Sequence, residues 1–112
     1  IGSSGPAENV AVVRECLSVG TLFSATVNGH EIRHGKPAPD VFLAAAEKLR
    51  IAPQQCVVVE DAPVGVEAGK RAGMAVIAIT GTAVREKLSA ADKIIDSMRE
   101  ISARDFDALL DR

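Results

Sequence analysis

Residues 56–74 read CVVVEDAPVGVEAGKRAGM. The stretch opens on a continuous apolar run, Cys56-Val57-Val58-Val59, which suits a strand covered on both faces, as in a parallel sheet. Two acids, Glu60 and Asp61, stand at its C-terminal end. Pro63 then opens a helix, at a position where its missing N–H is harmless. The face of that helix is Val64, Ala68 and Ala72, with Gly65 and Gly69 beside it. Side chains this small allow helix and sheet to approach closely, and Gly73 stops the helix. Ala75–Ile79 is apolar again and reads as a second buried strand.

The same alternation runs outward in both directions. Upstream, Pro39 and Asp40 open a helix with apolar stripes Val41/Ala45/Leu49 and Phe42/Ala46, and Pro53 marks the turn before Cys56. Ile1-Gly2 reads as the tail of a strand. Gly5-Pro6 starts a helix whose buried stripe is expected at Val10, Val13 and Leu17, ended by Gly20. Leu22 to Val27 is β-prone, and Asn28 to Gly35 is a polar loop holding both histidines. Downstream, a short helix is expected around Val84–Leu88 and a short strand at Lys93–Ile95. A last helix should follow, introduced by the capping-box spacing of Ser102 and Asp105 and buried through Phe106, Leu109 and Leu110. The alternation predicts a single α/β domain over residues 1–112, built on a parallel, doubly wound sheet.

Composition fits that reading. Of 112 residues, 47% are hydrophobic and 25% charged, as in an ordinary globular domain. Three Phe with no Trp or Tyr leave no aromatic platform for single-stranded nucleic acid. The balance of 13 Lys+Arg against 15 Asp+Glu gives a net charge of -2 and no basic face for a duplex. No stretch is long and apolar enough to span a membrane. Cys16 and Cys56 form no CxxC pair and read as small buried hydrophobes, so a reduced, cytoplasmic setting is expected.

In parallel sheets of this kind ligands bind beyond the carboxyl ends of the strands. That rule singles out Ser3-Ser4, Lys36 and Glu60-Asp61. Two adjacent acids after a strand repel each other unless something positive lies beside them. A hard cation such as Mg²⁺, held by one or two carboxylates with waters and phosphate oxygens, would serve. The alternative is a helix cap, with Asp61 near the N-cap of the Pro63 helix and Glu60 solvated. Lys36, set between Gly35 and Pro37, is either a fixed contact for a phosphate oxygen or a solvated loop lysine. The Ser3-Ser4-Gly5 turn either binds an anion through its N–H groups and hydroxyls or simply caps a helix. His30 and His34 read as exposed loop residues, and Gly65-x-x-x-Gly69 as helix packing.

Taken in order, hydroxyl, lysine, acid pair, these residues resemble the haloacid dehalogenase superfamily. SSGPAENV (3–10) is similar to its second motif, GKPAPDVFLAAAEKL (35–49) to its third, and CVVVEDAPVGVEAGKRAGM (56–74) to its fourth. The Glu-Asp of the last resembles the β-phosphoglucomutase-like branch. The resemblance implies a Rossmann-like core and a Mg²⁺-dependent phosphohydrolase or phosphomutase. The substrate would be a small phosphorylated metabolite, such as a sugar phosphate, handled through an aspartyl-phosphate. It implies that Ser3, with Ser4, contacts the phosphoryl group, that Lys36 neutralises charge on nucleophile and phosphate, and that Glu60 and Asp61 hold Mg²⁺, Asp61 foremost. The family's first motif, an Asp-x-Asp followed by Gly, does not occur in these 112 residues; Asp105-Phe106-Asp107 has the spacing but falls in the expected terminal helix. The cap of this branch, which follows that motif, is also absent from the sequence.

What these residues would form is therefore the C-terminal portion of a catalytic core, inactive alone. An N-terminal segment of the same protein is expected to supply the nucleophile and to fill the sheet between the strand ending at Ser3 and the strand ending at Glu60. Carbon–halogen cleavage needs no metal and would leave the acid pair idle. A signalling receiver domain would carry its acids before its lysine. A non-catalytic phosphate-binding or interaction module with the same fold is the remaining alternative.

Overall fold

The computed structural model describes residues 1–111 and shows an α/β chain around a three-stranded parallel sheet. The strands are β1 (Val57–Glu60), β2 (Ala75–Ile79) and β3 (Lys93–Ile95), in the order β1-β2-β3. Val58 faces Val76 and Glu60 faces Ala78 across the first ladder, and Ile79 faces Ile95 across the second. Parallel neighbours need a crossover. Helix α3 (Pro63–Arg71) supplies the first, and a short 3₁₀ turn over Arg85–Leu88 lies in the second. Upstream stand α1 (Ala7–Leu17) and α2 (Asp40–Leu49), and α4 (Ala103–Leu110) closes the chain.

The core lies where β1 and β2 meet α2 and α3. Val58, Val66, Ala68, Ala72, Val76 and Ala78 form it with Val41, Phe42 and Ala46. The small-residue stripe does what its sequence suggests: a Cβ on Gly69 would come within 2.7 Å of Val76 Cγ2, so only glycine lets α3 lie this close to the sheet. Gly73, at φ +75°, ends the helix in the left-handed region, as expected of a glycine after a helix. Glu60-Asp61 leaves the C-terminal end of β1 directly into the start of α3.

Several expectations need correcting. Within α3, Val64 is exposed and Val66 takes its place in the core, because Gly65, Val66, Ala68 and Gly69 form the face laid against the sheet. Val59 is 41% exposed, so the face of β1 that carries it is not fully covered, and among the described residues β1 is also an edge strand paired with β2 alone. In α1 only Val10 is buried; Leu17 is 64% exposed, and Val13 and Cys16 are exposed too. Residues 22–27 form no extended strand. Gly20–Leu22 is a 3₁₀ turn, and Val27 makes a single parallel bridge to Gly2, because a β-prone run becomes a strand only where a partner ladder exists. Cys56 is half-buried, and neither cysteine is in a disulfide.

Candidate active site

Lys36 reaches across from the loop before α2 to the end of β1. Its ammonium contacts Glu60 Oε1 and lies 4.9 Å from the centre of the Phe42 ring, so it is held between a carboxylate and an aromatic face. Both partners of the ion pair are largely shielded: the Lys36 side chain is 18% exposed and that of Glu60 9%. The loop is fixed from below. Ala38 N–H donates to Gly35 O at 3.0 Å, and the Lys36–Pro37 bond is cis.

Glu60 is bound on its other side as well. Its Oε2 accepts the backbone N–H of Asp61 at 3.1 Å and of Ala62 at 3.4 Å. The carboxyl group lies over Gly65, where a Cβ would occupy the same space. Gly65 therefore makes room for Glu60 at the start of α3, a role that helix packing alone does not describe. The capping alternative is inverted by this arrangement. Glu60 turns back onto the turn into α3, whereas Asp61 is exposed and takes no N-cap contact. Asp61 Oδ2 instead accepts from Thr82 Oγ1 at 2.6 Å.

The serine turn joins the same edge. Lys36 N–H donates to Ser4 Oγ at 3.4 Å, while Gly29 N–H donates to Gly5 O at 2.7 Å. Gly29 has no room for a Cβ against the Ser4 carbonyl, so the loops over 3–5 and 28–36 are pressed together. Ser3 is turned inward: its Oγ accepts Gly5 N–H at 3.0 Å. Thus Lys36, Glu60 and Ser4 are linked, Asp61 follows Glu60 directly, and Ser3 makes its side-chain bond within its own turn. His30 and His34 are exposed, as expected. Asp105 and Asp107 lie in α4, where Asp105 accepts Ser102 N–H at 2.7 Å and pairs with Lys93.

Phe42 and Gly65 fall inside the quoted third and fourth motifs but read there only as packing positions, and Thr82 falls in none. Phe42 was legible as a core position, but its ring under the Lys36 ammonium was not. Beyond Thr82, Asp96 at the end of β3 is held below the ordinary aspartate range by the Thr80 hydroxyl and by Arg85.

Mg²⁺ takes only one or two protein carboxylates, completing its shell with water and phosphate oxygens. The residues fit that demand in part. Glu60 is neutralised by Lys36, and Asp61 offers a hard, exposed oxygen. No group of three or more His, Cys, Asp or Glu suited to a metal occurs among the described residues.

A sequence model described as haloacid dehalogenase-like hydrolase matches residues 1–73. The chain belongs to the haloacid dehalogenase-like hydrolases. Within this hydrolase family, it is 43% identical over 76 residues to hexitol phosphatase A of Escherichia coli, covering 68% of this chain and 35% of that protein. It is 35% identical over 79 residues to the β-phosphoglucomutase of Bacillus subtilis, covering 70% of this chain and 35% of that one. The crystal structure of a HAD hydrolase, family IA, variant 3, from Entamoeba histolytica superposes with a TM-score of 0.86 at 26% identity, over 98% of this chain and 52% of that one. The chain thus spans about a third of these two curated relatives and about half of the solved structure. No described helix is long and apolar enough to cross a membrane.

Proposed function

We infer that these 112 residues are the C-terminal portion of the catalytic core of a Mg²⁺-dependent phosphatase or phosphomutase. The full-length protein acts on a small phosphorylated metabolite of the sugar-phosphate class, in the cytoplasm. The observation that carries this reading is the shielded Lys36–Glu60 pair at the C-terminal end of β1, with Asp61 beside it and the Ser4 hydroxyl on the Lys36 loop. The names of the relatives, a hexitol phosphatase and a β-phosphoglucomutase, favour phosphoryl transfer on sugar-like substrates.

In this reading the nucleophilic aspartate, the cap domain and the strand that fills the sheet next to β1 come from a segment outside these residues. The aspartate attacks phosphorus, the bond to the leaving oxygen breaks, and an aspartyl-phosphate forms. Lys36, oriented by Glu60 and Phe42, places its positive charge against the phosphoryl oxygens as negative charge builds there. Ser3 and Ser4 contribute hydroxyl and backbone N–H donors to the same oxygens. Asp61, with Glu60 behind it, is the metal ligand of this chain, and Mg²⁺ when bound supplies charge neutralisation at the phosphoryl group.

The test is a screen of the full-length protein against sugar and polyol phosphates, with Mg²⁺ and with EDTA. Mg²⁺-dependent release of phosphate is expected. Lys36→Ala should lower kcat/KM by an amount worth about 2–4 kcal/mol, Asp61→Asn should reduce turnover strongly, and Cys16→Ser and Cys56→Ser should be neutral. Near-normal activity in Asp61→Asn would overturn the assignment. Binding of phosphate esters without turnover would point to a non-catalytic module instead.

A further inference from the structure

Asp61 leaves β1 on the exposed side of its turn, and an exposed aspartate is free to rotate about its side-chain bonds. Its neighbour Glu60 is fixed by Lys36 and two backbone N–H groups. One described side chain restrains Asp61: Thr82, whose Oγ1 donates to Oδ2 at 2.6 Å. That is the length of a charge-assisted O–H···O⁻ bond, about 2.5–2.7 Å. Backbone construction brings Thr82 there. Thr80, just past β2, is anchored to β3 by its N–H on Ile95 O at 2.9 Å and by its hydroxyl on Asp96 at 2.7 Å. Gly81 then takes φ +125°, a conformation that side chains other than glycine's rarely adopt, although nothing lies within 4 Å of where its Cβ would be. Its glycine is required by the bend and not by crowding, and the next residue is the one on Asp61.

We propose that Thr82 is a positioning residue for Asp61: by occupying Oδ2 it leaves Oδ1 presented to the cation. The inference rests on the metal-ligand role proposed above for Asp61. Partners that orient a ligand carboxylate generally cost about 10–100-fold in metal affinity or activity when removed. Thr82 is exposed, so its replacement does not place the fold at risk.

The experiment titrates Mg²⁺ into the full-length protein and reads two midpoints. One is thermal stabilisation by Mg²⁺ without substrate; the other is activation of phosphate release. Thr82→Val, which keeps the shape and loses the hydroxyl, should raise both midpoints about tenfold, with kcat at saturating Mg²⁺ near that of the unaltered protein. Thr82→Ser should restore both. A Thr82→Val protein that titrates like the parent overturns the proposal, as does a Thr82→Ser protein shifted as far as Thr82→Val. Asp61→Asn separates the two levels. If it retains the full Mg²⁺ stabilisation, the metal-ligand reading itself fails, whatever Thr82 does.

Discussion

Residues 36–79 and residues 1–35 each carry an apolar helix stripe, yet they are packed very differently. In the first region the central stripes meet: α3 lies on β1 and β2 through Gly69, and Val41, Phe42 and Ala46 of α2 close the same core, while Leu49, Val59 and Val64 at its margins stay exposed. In the second, α1 buries Val10 alone, and Val12, Val13, Leu17, Leu22 and Phe23 are all exposed. Among the described residues its β pairing is the isolated bridge of Gly2 to Val27, inside the region itself. A stripe in a sequence shows which face of a helix is apolar. Whether that face is covered depends on a partner, and 36–79 finds most of its partner within itself, with Val27 and Leu88 added from outside. The candidate site sits at the seam, where the serine turn of the looser region meets Lys36 and Glu60 of the tighter one.

The comparison breaks most sharply at Ile77. It is the fully buried centre of β2, paired with Val59 on one side and Lys93 on the other. Ile77→Ala should cost about 2–5 kcal/mol, the range for truncating a buried branched side chain. Urea denaturation of the full-length protein would measure it. A cost below that range would mean that the face of β2 turned away from α3 is looser than its burial indicates.

Gly69→Ala tests the same region by adding an atom. The new Cβ would lie 2.7 Å from Val76 Cγ2 and 3.3 Å from Val58 Cβ, so α3 must shift from the sheet. Overpacking of this kind costs about 1–3 kcal/mol. Because α3 begins under Glu60, the shift should also weaken activity, while Gly20→Ala in the 3₁₀ turn after α1, where the nearest atom would be 3.8 Å away, should do neither.

Much of this difference was legible beforehand and part of it was not. The strands at 75–79 and 93–95 and the helices opening at Pro63 and after Ser102 follow from apolar runs and end signals that act over a few residues. The Leu22–Val27 strand failed because strand formation is settled by a neighbour and not by propensity. Lys36 and Glu60-Asp61 were visible because each follows a break in the apolar pattern. Thr82 and Gly65 were not, since a hydroxyl or a missing Cβ acquires meaning only from what a fold brings opposite it.

The seam itself carries a pH dependence. Lys48 of α2 donates to Thr26 O at 2.7 Å and also contacts the Glu31 carboxylate, tying the two regions together. That contact, with the Asn28 N–H, holds the Glu31 carboxyl below its ordinary value near 4.5. A depressed carboxylate adds stability above its unfolded value, and this is lost as pH falls through the lower folded value. Stability should therefore drop with acid below about pH 4.5, and Lys48→Met should flatten that part of the profile. The group is exposed, so salt should weaken the effect, and it should be smaller than either core substitution. An acid profile unchanged by Lys48→Met would show that the two regions are joined by other contacts.

The smallest effect is expected at the C-terminal end of the α1 stripe, and it is the most informative about the looser region. Leu17 is 64% exposed in the last turn of the helix, and glutamine is nearly as good a helix former as leucine. Leu17→Gln should therefore change stability by less than about 0.5 kcal/mol, as exposed substitutions away from special features do. Val10→Ala, two turns earlier on the same stripe, removes two buried methyl-sized groups and should cost roughly 1–2 kcal/mol at ~0.8 kcal/mol for each. The pair is a controlled measurement, since both residues lie on one helix and differ in what covers them. If Leu17→Gln in the full-length protein costs as much as Val10→Ala, another part of that protein lies on this face. The contrast between the two regions would then belong to these 112 residues and not to the protein that contains them.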